Sequence, residues 1–317
     1  MKRARMYVTT GVVLSTLVAA TTLAPPANAA TTTLTGAFGV SSAAIDNASG
    51  NVTSYQVKIP PSTSLVEQLG GSPYLEQFYY RVGSSGPLVA FSAIATQNTG
   101  SNPWTVTPTG ASKVEMQNVA YSGTQALFDI DTTYQLSGRT LSITMSLTKD
   151  ASNANAVNLS IFQLATLDLN SAATPHTNIS VGQPGSTDTA NVNDGVSTSF
   201  TEKADASLPT GAGDQTINSN TPFYQAGTGL LGTNADLTDA GTFSGNNGQF
   251  AFEWSSFNLG AAGGGVGTQA VLTYQETFDP LAANVPEPDT TVLSVLGLAA
   301  LAGISAGRRT RRCTCPA

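Results

Sequence analysis

The chain has 317 residues, with 13 Lys and Arg against 20 Asp and Glu, a formal net charge of −7 and only 10% charged residues. That balance excludes nucleic acid as a partner, because a phosphate backbone calls for basic patches, and it opposes docking on anionic lipid. Ser, Thr, Asn, Gln and Gly supply the polarity that ordinary globular domains, about 25% charged, take from ionised side chains.

At the N-terminus, Lys2, Arg3 and Arg5 precede an apolar run from Gly11 to Ala24, and Ala27-Asn28-Ala29 follows as a small-x-small cleavage site. These are the parts of a secretory signal peptide over 1–29, removed by signal peptidase. The mature domain is expected over 30–284 as a single all-β unit, a β-sandwich of jelly-roll type. Its strands follow from period-two alternation. Weaker candidates are Thr31 to Val40, Gln77 to Val82, Leu88 to Ala95, Val114 to Tyr121 and Ser197 to Glu202. Tyr55, Val57 and Ile59 share one face of an earlier strand. Ser64-x-x-Glu67 with Gly70 behind it predicts one helical turn over Ser64 to Leu69.

The clearest hairpin places Phe128, Ile130, Thr132, Tyr134 and Leu136 on one face and Asp129, Asp131, Thr133 and Gln135 on the other. A turn at Ser137-Gly138-Arg139 leads to Leu141, Ile143, Met145 and Leu147. Val157, Leu159 and Ile161 continue the meander. The stretch 170–248 is loop-rich in Gly, Asn, Ser, Thr and Asp, and either hides short strands or forms an exposed excursion. Two late strands carry Phe250, Phe252 and Trp254 opposite Ala251 and Glu253, then Ala270, Leu272 and Tyr274.

The chain closes on Val285-Pro286-Glu287-Pro288, an uncharged run over 291–306, and the basic cluster Arg308, Arg309, Arg311 and Arg312. As a helix the run spans about 24 Å, and the arginines predict that its basic end stays cytoplasmic. The motif, the Leu/Ala/Gly-rich span with Leu296, Gly297, Leu298, Ala300 and Leu301, and the terminal arginines resemble the PEP-CTERM sorting domain. The resemblance covers residues 285–317 and implies a Gram-negative-type bacterium. It further implies transient insertion in the inner membrane, processing by exosortase, and delivery to the cell surface or the exopolysaccharide matrix of a biofilm. Cys313-Thr314-Cys315-Pro316-Ala317, beyond the arginines, departs from that pattern. Both cysteines lie in this tail, so a processed domain has no disulfide, thiol nucleophile or zinc-thiolate site. It would retain six basic and 18 acidic residues, about −12.

The inventory of chemistry is short. Gly227-x-Gly229-x-x-Gly232 has the spacing of a dinucleotide fingerprint, but no helical periodicity follows it, and a flexible loop is expected. His176, the lone histidine, stands in a polar loop after Pro175. Asp129 and Asp131 form a carboxylate pair about 7 Å apart on one strand face, the spacing used in glycoside hydrolysis, though that face is ordinarily the solvated one. Glu253 and Glu276 lie on late strands, and their convergence is open. Asp188, Asp194, Asp236 and Asp239 offer oxygen ligands of the kind Ca²⁺ takes, without an EF-hand or nonapeptide repeat, so solvated acids and no cofactor are expected. Among aromatics able to stack on sugars (Trp104, Trp254, Tyr79 and Tyr80), Trp254 reads as core and Trp104 as the surface residue, the candidate glycan contact. The sequence therefore leads to a non-enzymatic surface or matrix protein associated with extracellular polysaccharide. The alternative is a secreted carbohydrate-binding module or glycan-active enzyme on the same fold.

Overall fold

A computed structural model describes residues 30–58, 63–68, 76–167, 169, 177–182, 188–193, 198–208, 223–231, 236–237, 239–245, 248–260 and 269–280. The signal peptide with Ala27 and Ala29, the sorting motif Val285–Pro288, the span 291–306, the arginine cluster, His176 and Asp194 lie outside the described residues. Among those described, no helix is long and apolar enough to cross a membrane.

The fold is all-β, built from two antiparallel sheets. Sheet A runs β1 (Thr31–Thr35), β2 (Ser41–Asp46), β3 (Val52–Lys58), β5 (Glu76–Val82), β11 (Val157–Thr166), β17 (Gln249–Leu259) and β15 (Phe223–Gly227). Two short strands join it, β4 (Leu65–Glu67) on β3 and β6 (Val89–Ala90) on β5. Sheet B runs β16 (Thr242–Gly245), β12 (Thr177–Gly182), β13 (Asp188–Asn193), β14 (Thr198–Ser207), β18 (Gln269–Pro280), β10 (Thr140–Lys149), β9 (Gln125–Ser137), β8 (Lys113–Ser122) and β7 (Thr105–Pro108).

The alternation that predicts these strands also sets their faces. Phe128, Ile130, Tyr134, Leu141, Ile143, Met145 and Leu147 are all buried toward sheet A, while Asp131, Gln135 and Thr144 face solvent. Ser137 pairs with Thr140, so the hairpin turns on Gly138 and Arg139, with Gly138 at φ +59°, where a side chain would be strained. Between the sheets the aromatic side chains interlock: Tyr55 on Phe278 at 4.6 Å, Phe200 on Phe278 at 4.7 Å, Trp254 on Tyr274 at 5.2 Å and Tyr80 on Phe128 at 5.3 Å. The Tyr55 hydroxyl donates to the Arg139 carbonyl at 2.8 Å, tying sheet A to the hairpin turn of sheet B.

Two local expectations are corrected, and one left open resolves into strands. Residues 65–67 form strand β4, not a helical turn, because the Glu67 carboxylate is taken up by sheet A. It accepts from Ser54 Oγ at 2.5 Å, the Tyr55 amide at 3.0 Å and Gln56 Nε2 at 3.3 Å, while Val66 pairs with Val57. Beyond Val89–Ala90 the predicted strand over Leu88 to Ala95 becomes a single helical turn, Phe91–Ile94, whose Phe91 and Ile94 are both buried. The loop-rich stretch 170–248 contains β12 through β16, five strands whose small and polar residues mask their alternation.

Candidate functional site

The outer face of an antiparallel sheet is ordinarily polar, yet the centre of sheet A is not. By strand parity Arg81, Phe162, Leu164, Ala251 and Glu253 point away from sheet B, and all five are buried. They are covered by chain that leaves β15 at Gly227, turns through Gly229 and Leu231, both at positive φ, and returns at Asp236 and Leu237. Leu164, Ala251 and Leu237 form a small apolar cluster there with Tyr79, Leu230 and Leu231. Gly227 and Gly229 of the Gly-x-Gly-x-x-Gly spacing thus lie at the start of this covering chain, while Gly232 lies outside the described residues.

Charge is concentrated at this point. Arg81 Nη2 lies 3.2 Å from Glu253 Oε1 and also binds Asp236 Oδ1. The other Glu253 oxygen accepts the Leu237 amide at 2.8 Å. The Arg81 guanidinium sits 5.0 Å above the Phe162 ring. Burial drives the Glu253 carboxyl up to about 7 and the neighbouring Asp236 carboxyl adds to the rise, while the Leu237 amide and Arg81 oppose it. Near neutrality Glu253 therefore exists in both protonation states. Arg81 and Glu253 are almost fully buried, whereas Asp236 is 64% exposed and forms the solvent-facing member of the trio. Phe223, on edge strand β15, is the register partner of Glu253 and is 46% exposed. Directly opposed residues on antiparallel strands hold their Cβ atoms about 5 Å apart. An exposed aromatic residue therefore stands beside a buried carboxyl whose proton affinity is raised.

Other candidate residues are placed differently. Glu276 points into the space between the sheets, on the far side of sheet A from Glu253, so the two do not converge. It joins Glu76 and Glu202 there in a buried carboxyl cluster. Gln163 Nε2 donates to Glu76 at 3.3 Å, and a cavity of about 10 Å³, room for about one water, adjoins all three glutamates. Burial raises all three, and the mutual repulsion of their charges raises Glu76 and Glu202 further. Asp129 and Asp131 both line an open groove of about 460 Å³ on the outer face of sheet B. Asp129 is raised by partial burial and then by the charges of Asp150 and Asp131. Of the loop acids, Asp236 is in the Arg81 ion pair. Asp188 is buried, with neither oxygen partnered, and burial pushes it up to about 7. Asp188 is therefore not a solvated loop acid, a correction that follows from its place at the start of strand β13, whereas Asp236 stays largely exposed while paired with Arg81. Among the described residues, no group of three or more His, Cys, Asp or Glu side chains is arranged to hold a metal ion.

Trp104 is corrected too. It is 8% exposed and stacks on Phe91 at 6.2 Å, because the helical turn at Phe91–Ile94 folds beneath it. Tyr80 is buried, donor groups included, with its hydroxyl accepting from Gln97 Nε2 at 2.6 Å. Trp254 is core, as its alternation with Phe252 implies.

No family model matches the chain, and no curated protein does. Solved structures do. A bacterial glucoamylase determined with acarbose superposes with a TM-score of 0.52 at 10% identity, covering 86% of this chain and 35% of its own. The chain thus spans about a third of that enzyme. A galactose mutarotase-like protein from Lactobacillus casei gives 0.43 at 10% identity over 79% of this chain and all of its own. A galactose mutarotase related enzyme from Lactobacillus acidophilus gives 0.46 at 7% over 80% and 99%. At such identities the likeness is one of fold. It nevertheless overturns the expectation of a non-enzyme, which rested on an empty catalytic inventory. The fold is one that a glucoamylase carries, and Arg81, Asp236 and Glu253, far apart in the sequence, meet only by folding.

Proposed function

We propose that this is an exported, carbohydrate-active β-sandwich domain. It holds a saccharide on the outer face of sheet A, against Phe223, and moves a proton to and from the sugar's anomeric centre with Glu253. The observation that carries this reading is the buried Glu253 carboxyl, bound by Arg81 and the Leu237 amide on the face where exposed Phe223 is its register partner. In this role Arg81 holds the carboxylate form, and the Leu237 amide fixes one oxygen so that the protonatable one is defined. Burial keeps the proton affinity high, and the Asp236 charge adds to it. The fold shared with a glucoamylase crystallised with acarbose supports a saccharide as the ligand class. Export rests on the sequence of the two ends: signal peptidase cutting at Ala27-x-Ala29, and exosortase reading Val285–Pro288 ahead of the arginine cluster.

Phe223→Ala tests the platform. The residue is half-exposed on an edge strand, so its truncation is expected to leave the thermal midpoint nearly unchanged. It should weaken saccharide binding about fivefold by calorimetry, in line with an aromatic contact of about 1 kcal/mol. Unchanged binding in a folded variant would remove the outer face of sheet A as the saccharide site.

A further inference from the structure

We infer that the opposite side of the molecule, the outer face of sheet B, carries a separate groove for a neutral polysaccharide chain. The groove of about 460 Å³ falls within the range of small-ligand sites. Its walls are exposed Thr105, Gln117 and Asp131 with half-buried Asp129 and Thr148. The register sets Thr105, Gln117, Asp131 and Ser146 in one row across β7, β8, β9 and β10, all on the solvent side. Amide, carboxylate and hydroxyl groups in such a row match the vicinal hydroxyls of a sugar, since one carboxylate accepts from two of them.

The groove is held open from below. Asn102 Nδ2 donates to the Val119 carbonyl at 2.7 Å and to the Ile94 carbonyl at 3.2 Å, and Asn118 Nδ2 donates to the Asn102 carbonyl at 3.1 Å. These two amides fix the chain at Pro103, leaving Gln117 and Asp131 for a ligand.

Two observations make the ligand a chain and make it neutral. A second cavity, of about 310 Å³, meets the first at Pro103 and is lined by Asn47, Ser101 and Trp104. Trp104 is more than nine-tenths buried, and its indole N–H has no partner, a donor that a ligand oxygen would satisfy. The two cavities, which share Pro103, together offer room for more than one sugar unit. With two carboxylates and no lysine or arginine in the lining of either cavity, the run repels uronate- or sulfate-bearing glycans.

Affinity electrophoresis of the secreted protein through gels containing dextran, hydroxyethyl cellulose or soluble starch tests this. The wild type should be retarded by at least one polymer. The Gln117→Ala, Asp131→Ala double variant should lose at least tenfold in affinity with its thermal midpoint unchanged. Trp104→Phe, which keeps the ring and removes the N–H, should lose a few-fold. Three outcomes would overturn the inference: no retardation in any of the three gels, less than a threefold change in the double variant, or retardation abolished by EDTA, which would make Asp129 and Asp131 a cation site.

Discussion

Arg81 is the residue on which the outer face of sheet A depends. It is a buried cation in contact with an aromatic ring and two carboxylates. Removing one partner of a buried pair costs about 3–5 kcal/mol because the other charge is left uncompensated. Arg81→Met is expected near the lower end of that range in urea unfolding at pH 8, since Glu253 can escape the penalty by taking a proton. The cost should shrink as pH falls toward 5, where Glu253 is already neutral. A pH-independent loss would mean that Glu253 is not the group facing Arg81. Nothing in the sequence around Arg81 marks it, since an arginine in an alternating strand reads as a solvent-facing residue, and its burial comes from a loop joined 155 residues later. Phe223 was equally hidden, standing among polar residues with no periodicity to place it on an edge strand. Trp104 was misread for a related reason: its polar neighbours Ser101 and Asn102 signal a surface loop, but the ring packs on Phe91 of a helical turn that local pattern read as strand.

At the scale of elements, strands β5, β14 and β18 bring Glu76, Glu202 and Glu276 together between the sheets, with Glu202 and Glu276 directly paired across β14 and β18. Every carboxyl here with a resolved shift is raised: these three, Glu253, Asp188 and Asp129. The folded state therefore binds more protons than the unfolded chain. By linkage, stability is fully present below the unfolded carboxyl value of about 4.3 and is lost as pH rises through the folded values. For Glu253 and Asp188 that window closes near pH 7; the raised interior cluster contributes in the same direction. Thermal unfolding should give a higher midpoint at pH 5 than at pH 8, and Glu202→Gln should raise the pH 8 midpoint and flatten the slope. A midpoint that rises from pH 5 to 8 would contradict the cluster's being buried. The β9–β10 hairpin and its inward face were legible because alternation and a Gly turn agree with burial there. The glutamates were not, because each takes an inward position of a strand where polarity argues for the outward one.

For the whole molecule, the pattern of strands was enough for an all-β fold in two antiparallel sheets, while the carboxylates that matter meet only through the order of strands in sheet A, which no local signal encodes. The proposed export rests on the sequence of the two ends. Pro286→Ala, Glu287→Ala is expected to leave the protein full-length and membrane-bound, against a shortened extracellular wild type by intact mass; equal masses outside the cell would remove exosortase processing from the reading. The central claim concerns Glu253, and proton NMR of anomeric signals tests it most directly. Reducing hexoses and α-glucosides would be incubated with wild-type protein and with Glu253→Gln at pH 7. Anomeric exchange or cleavage should run well above the buffer rate with wild type. The variant should be slower by about 10²-fold or more, the scale of a lost general acid–base, while remaining folded. A wild type no faster than buffer on every sugar, or a variant as fast as wild type, would contradict the assignment of Glu253 as the proton-transfer group.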